Sequence, residues 1–269
     1  MRKISAKMPR NSDSAPVSVA PLVWLRAIYE FHNFSYRDPR GAFAVAVGLP
    51  VVSPTAVLLG VCSTLYERGR QEEAEAFLKT IHLCRVKVDP PQGAVFFRAF
   101  HQLRRYVTQQ DKGKGKKPNI GFTEINQGTR EYCLLQGPLA VYVGVPEPHS
   151  ASVADALRNR DHLGTHDSLC SLVGDVEHVA EPAEVLYAPL GEGPIRIKGG
   201  EPVTVVTLSQ FVSGEFGDAS PRHWRMSGGL NTELVPFVIP GSFTGTRSGK
   251  VYRRRESDPR QNRKRLGEW

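Results

Sequence analysis

The stretch that decides the fold is Phe43–Gly69, FAVAVGLPVVSPTAVLLGVCSTLYERG. It is the longest strongly apolar segment of the chain, and its period changes in the middle. Before Ser53-Pro54 it reads as an extended run. After them Val57, Leu58, Val61 and Leu65 recur at helical spacing. Ser53 suits the N-cap, because its hydroxyl can accept a free backbone N–H of the first turn. Pro54 suits the next position, where its missing N–H costs nothing. Gly69 stands where a helix-ending glycine belongs. The helical part is too short, and the segment too broken by Gly48 and Pro50, to span a membrane. The spacing therefore predicts a core helix preceded by a strand-like run.

Working outward, Leu22–Phe31 alternates: Val23, Leu25, Ala27, Tyr29 and Phe31 share one face, with Arg26 and Glu30 on the other. That is a half-buried strand. The loop HNFSYRDPRGA follows and interleaves Phe34 and Tyr36 with Arg37 and Arg40. Aromatics and arginines so mixed suit single-stranded RNA, though an ordinary turn around a packed tyrosine fits the same residues. Gln71–Ile81 reads as a second helix, its acidic start and late lysine matched to the helix dipole. Cys84, Val86 and Val88 alternate with Arg85 and Lys87, and Ala94–Val107 reads as mainly extended.

Residues 108–128 change texture. Lys112, Lys114, Lys116 and Lys117 are spaced by glycines with no apolar period. Glycine lets backbone approach phosphate closely, so a basic contact with nucleic acid is one reading and a solvated loop the other. The Gly-x-Gly-Lys string lacks P-loop spacing. Strands are expected at Arg130–Leu135 and Leu139–Val145, then a helix ASVADALRNR capped by Ser150 or Ser152 and stopped by Gly164, then a strand at Leu169–Val173. The order approximates βαββαβ, the pattern of a ferredoxin-like (RRM-type) fold. From Ala180 the texture is turn-rich β, with Val203–Phe211 its clearest strand, and the Arg253–Arg265 tail is strongly basic.

The fold class expected is α+β. A flexible arm covers 1–16, a ferredoxin-like domain 17–179 with a basic insertion near 104–128, a smaller β-rich part 180–245 and a basic tail 246–269. The apolar fraction of 40% is enough for a folded core, and the net charge of +8 points to a polyanionic partner or to a merely solvated basic surface. The four cysteines, Cys62, Cys84, Cys133 and Cys170, form no CxxC pair, which argues against a zinc cluster and suits reduced core thiols. The N-terminus has no apolar h-region, so a cytoplasmic protein is expected. No G-x-S-x-G elbow supports a serine triad. His32, Tyr36, His101, His162 and His166 could supply acid–base chemistry, but their spacing specifies none. His162 and His166 have the i, i+4 spacing of two metal ligands, yet Gly164 interrupts a helix there and no third ligand is suggested. No metal and no cofactor are expected.

Four features together resemble the Cas-five family of CRISPR-associated proteins, subunits of type I Cascade complexes. They are the apolar helix with a central glycine in LPVVSPTAVLLGVCSTL, the basic insertion around Lys112–Lys117, the leucine-glycine then serine motif HLGTHDSLCSLVGDV, and the apolar-proline segment VPFVIPGSF. The resemblance covers most of residues 20–245. It implies an RNA-binding scaffold that caps the 5′ handle of the guide RNA (crRNA), with a thumb-like hairpin near Lys112–Lys117. Its implied partners are the guide RNA, the Cascade backbone and large subunits, and target DNA near the PAM end through the complex, with no membrane. The RNA-contacting residues it implies are Tyr36, Arg37, Arg40, Lys112, Lys114, Lys116, Lys117, Arg130, His162, His166 and Ser168. One branch of that family cleaves precursor guide RNA with a Tyr-Lys-His set. That set has no convincing place here, so a non-catalytic member is expected, with a metal-independent endoribonuclease as the alternative.

Overall fold

Strand β1 (Leu22–Phe31) buries Leu25, Ala27 and Tyr29 completely, as its alternation predicts. The computed structural model describes residues 21–38, 47–105, 124–182, 187–189, 202–211, 232–246 and 249–254. The expected arm 1–16, Arg40, Lys112–Lys117 and the tail beyond 254 lie outside the described residues.

Helix α1 (Pro54–Glu67) begins as its sequence demands. Ser53 is extended at its cap, and its Oγ accepts from the Ala56 N–H at 3.1 Å. Val57, Leu58, Val61 and Leu65 are buried, and Gly69 adopts a positive φ of 74° just past the end. Gly60, in the middle, is forced. A Cβ built there would overlap the guanidinium of Arg160, which lies against the helix backbone and donates to Thr64 Oγ1 at 3.1 Å. Helix α2 (Gln71–Thr80) packs on α1 through Ala74, Phe77 and Leu78.

A four-membered path β2 (Arg85–Asp89), β5 (Leu139–Pro146), β1, β6 (Cys170–Leu172) forms the first sheet. β7 (Glu177–Val179) also pairs with β1, and every pairing is antiparallel. With α1 between β1 and β2, and α3 (Ser150–Arg158) between β5 and β6, this is the ferredoxin-like arrangement within an α+β fold. The expectation at α3 is corrected at both ends. Neither Ser150 nor Ser152 caps it; His149 holds the cap position, and Ser152 Oγ donates back to the His149 carbonyl at 3.0 Å. The helix ends at Arg158, so Gly164 is no helix stop.

Between β2 and β5 the chain leaves this sheet as an antiparallel ribbon, β3 (Gly93–Arg105) and β4 (Glu124–Gln136). Of the basic insertion expected near 104–128, the described ends, Arg104–Arg105 and Glu124–Gly128, belong to this ribbon, which already starts at Gly93. Its base belongs to a second sheet, β11 (Ser242–Thr246), β12 (Gly249–Arg253), β3, β4. Strand β12 corrects the expected tail 246–269. Val251 and Tyr252 are flanked by Lys250 and Arg253, and Tyr252 is fully buried. The charges around these two apolar residues hid a strand. β8 (Ala188–Pro189), β10 (Thr232–Pro240) and β9 (Val203–Phe211) make a third sheet, packed on α1 through β9.

One apolar cluster joins α1, α2, α3 and all three sheets, and all four cysteines are buried and unpaired in it. No helix among the described residues is long and apolar enough to cross a membrane.

Candidate nucleic-acid interface

Three segments meet beside the open end of the ribbon: the loop after β1, the loop after α3, and the face of β4. The first loop clips onto β4 through paired Phe34 and Cys133 backbones, at 3.0 and 2.8 Å. It then turns back on itself. Arg37 bridges Gly48, the Asp38 N–H donates to the Val47 carbonyl at 2.8 Å, and the Leu49 N–H donates to the Tyr36 carbonyl at 2.8 Å. Residues 39–46, with Arg40, lie between these pairs and outside the described residues.

The loop after α3 is sewn to the first at Ser35. Ser168 Oγ accepts from the Ser35 N–H and donates to the Ser35 carbonyl, both at 2.8 Å. Thr165 Oγ1 donates to the same carbonyl at 3.1 Å. Gly164, at φ 101°, lies where a Cβ would come within 3.3 Å of the Ser35 carbonyl and of the Tyr36 ring. The glycine-serine motif is thus a seam between two loops.

This placement corrects one expected RNA contact, Ser168, and engages the hydroxyl of another, Tyr36. Ser168 is fully buried and its hydroxyl is consumed by Ser35. Tyr36 is half-buried, and its hydroxyl donates to Ser53 Oγ at 2.6 Å, tying the loop to the cap of α1. Burial raises the Tyr36 phenol above its ordinary range. Both residues shape the loop and neither offers a free polar group.

His162 and His166 do come together, though on no helix: their ring centroids are 4.7 Å apart. Asp161 lies 2.6 Å from His162 Nδ1, and that hydrogen bond holds the Asp161 carboxyl below the usual carboxylate range. Among the described residues no group of three or more His, Cys, Asp or Glu is placed to hold a metal ion.

Arg130 projects from β4 into an ion pair with Asp167 of the same loop, and Tyr132 Oη donates to the same carboxylate oxygen at 3.0 Å. Desolvation, then the Asp167 bond, raises the Tyr132 phenol. Tyr132 stacks on Phe97 across the ribbon with centroids 5.9 Å apart. Val95, Phe97, Leu134 and Arg130 therefore make one exposed ribbon face, while Arg98 and Phe100, 66% exposed, emerge from the other.

Sequence reasoning missed Asp167, Glu131 and Lys250. Glu131 is only 9% exposed, on the face of β4 that carries buried Cys133. Its carboxylate accepts from the Gly48 N–H at 2.7 Å and from Lys250 Nζ at 3.0 Å. A carboxylate on the buried side of an alternating strand was the available signal.

No protein-family model matches the chain, and no curated protein matches it. Among solved structures it is similar to a CRISPR protein from Archaeoglobus fulgidus, at 12% identity over 86% of this chain and 90% of that one, with a TM-score of 0.36. It is also similar to a chain of a CRISPR RNA-guided surveillance complex, at 15% identity over 91% and 98%, with a TM-score of 0.41. The strand order and register above define the fold independently of these likenesses.

Proposed function

We propose that this chain is a non-catalytic, RNA-binding subunit of a Cascade-type CRISPR surveillance complex that holds the 5′ handle of the guide RNA. The observation that carries the reading is the convergence of the Arg37 loop, the His162–His166 loop and the Arg130 ribbon face in one place. Phosphates call for Arg and Lys, and splayed bases call for exposed aromatics such as Phe97, which shares the Arg130 face. The net charge of +8 agrees, and the Gly/Lys run 112–117 belongs to the segment joining β3 to β4. The guide-RNA assignment and the backbone and large-subunit partners come from the family resemblance. The engaged, desolvated Tyr36 phenol supports the non-catalytic reading, since it is poorly suited to proton transfer near neutral pH.

The test is binding of a labelled repeat RNA across a salt series. Replacing Lys112, Lys114, Lys116 and Lys117 together by Ala should weaken binding and flatten the log–log salt slope by ~0.7 per lost phosphate contact. An unchanged slope would remove this loop from the interface.

The paired imidazoles of His162 and His166 favour one second reading, a metal-independent endoribonuclease. Single-site cleavage of repeat RNA in the presence of chelator, lost in His162→Ala or His101→Ala, would establish it and displace the first.

A further inference from the structure

We infer that Glu131 and Lys250 form a latch through which strand β12, near the C-terminal end, positions the loop bearing Arg37; its functional half rests on the reading of that loop as an RNA contact. Gly48 is gripped from both sides. Its N–H donates to Glu131 Oε2 at 2.7 Å, and its carbonyl accepts from Lys250 Nζ at 2.8 Å. The two gripping groups are themselves 3.0 Å apart. A side chain at position 48 would be tight, with a Cβ 3.3 Å from the Phe96 ring and 3.4 Å from the Glu131 carbonyl, so the Phe96 ring would have to give by a few tenths of an ångström. Glycine here lets the backbone reach the ion pair.

Lys250 is steered inward. Its ammonium sits 4.2 Å from the Phe96 ring centroid and 5.1 Å from that of Phe243. The ion pair is largely shielded from water by Glu131's burial, so salt screens it little. Gly48 is the bridge partner of Arg37, with the Asp38–Val47 and Tyr36–Leu49 bonds on either side. Fixing Gly48 therefore fixes the backbone that carries Arg37. Lys250 acts as a positioning residue, and its basic charge is spent inside the protein.

The full chain with Lys250→Met, Lys250→Arg or Glu131→Gln tests this through two readouts. Hydrogen exchange of peptides covering 34–52 should speed up about tenfold in Lys250→Met, as expected for loss of a charge-assisted buried bond, while β1 peptides stay protected. Affinity for a synthetic repeat RNA should fall about tenfold with the salt slope unchanged, because no phosphate contact is lost. Lys250→Arg should restore much of both, and Glu131→Gln, which keeps an acceptor for Gly48, should fall between. A slope shallower by ~0.7 would make Lys250 a phosphate ligand and overturn the latch. So would unchanged loop exchange, or a loosened loop with undiminished RNA affinity. If the unmodified chain binds no repeat RNA, the RNA reading fails, and the exchange data still decide whether the latch holds the loop.

Discussion

The guanidinium of Arg160 rests on the backbone of helix α1 at Gly60, in the space a Cβ would occupy. Arg160 is only 7% exposed, and burial holds its pKa below the ordinary arginine value. In an open helix Gly→Ala stabilises by ~1 kcal/mol. Here the added methyl must push a buried cation aside, and overpacking of this kind costs ~1–3 kcal/mol. Gly60→Ala should therefore lower the denaturant midpoint. Combining it with Arg160→Met, which vacates the space, should recover much of the loss. Additive losses in the double variant would show that the two residues do not share this contact.

Asp167 accepts from both Arg130 and Tyr132, so on the proposed RNA reading its carboxylate competes with phosphate for Arg130. Asp167→Asn keeps an acceptor for Tyr132 and removes the charge that neutralises Arg130. RNA affinity should rise and the salt slope should steepen by ~0.7, the increment for one added phosphate contact. Stability should move by less than ~1 kcal/mol, because the pair is exposed. An unaltered slope would show that Arg130 does not touch RNA.

His149 packs edge-on to Phe77 with centroids 5.8 Å apart, and burial lowers its pKa below 6.5. A histidine depressed by folding binds its proton more readily in the unfolded chain. Its contribution is present in full above pH 6.5 and is lost as pH falls through the folded value. Thermal midpoints at pH 7.5 and pH 5.5 should differ less in His149→Phe than in the unmodified protein. An identical difference would assign the acid sensitivity to other groups.

The four thiols should be inert while the protein is folded. Burial pushes Cys84 and Cys170 up to about 12, and raises Cys62 and Cys133 still further. The thiolate is the reactive form, so little is present at neutral pH. A thiol reagent should find none in native buffer and all four in denaturant. Rapid native reaction at any one would show that its surroundings open.

Much of the fold was legible because it rests on local rules. Ser53-Pro54 opens α1 and Gly69 closes it, since caps and helix ends are satisfied within one turn. β1 and β2 follow from alternation, and β5 and β9 from runs rich in β-branched residues. Where local signals compete, the reading slipped. Ser150 and Ser152 both look like caps, but the chain enters α3 through a 3-10 turn at Glu147–His149 that leaves no extended residue for them to occupy. The candidate site was half legible. His162, His166, Arg37 and Arg130 were named from residue type, and the fold brings their segments together, whereas the burial of Ser168 against Ser35 and the bond from Tyr36 to Ser53 are known only once the loops are folded.

The sequence by itself determined the apolar helix, the alternating strands and the basic excess, because periodicity, capping and net charge depend on residues close together or on sums. Tertiary structure alone decided which charges face solvent and which face each other. Lys250 was one more basic residue of a basic end until β12 paired with β3 and set it over Phe96, against Glu131 and Gly48. No local pattern encodes that meeting, since an ion pair depends on distance in space, and Gly48 and Lys250 are 202 positions apart along the chain.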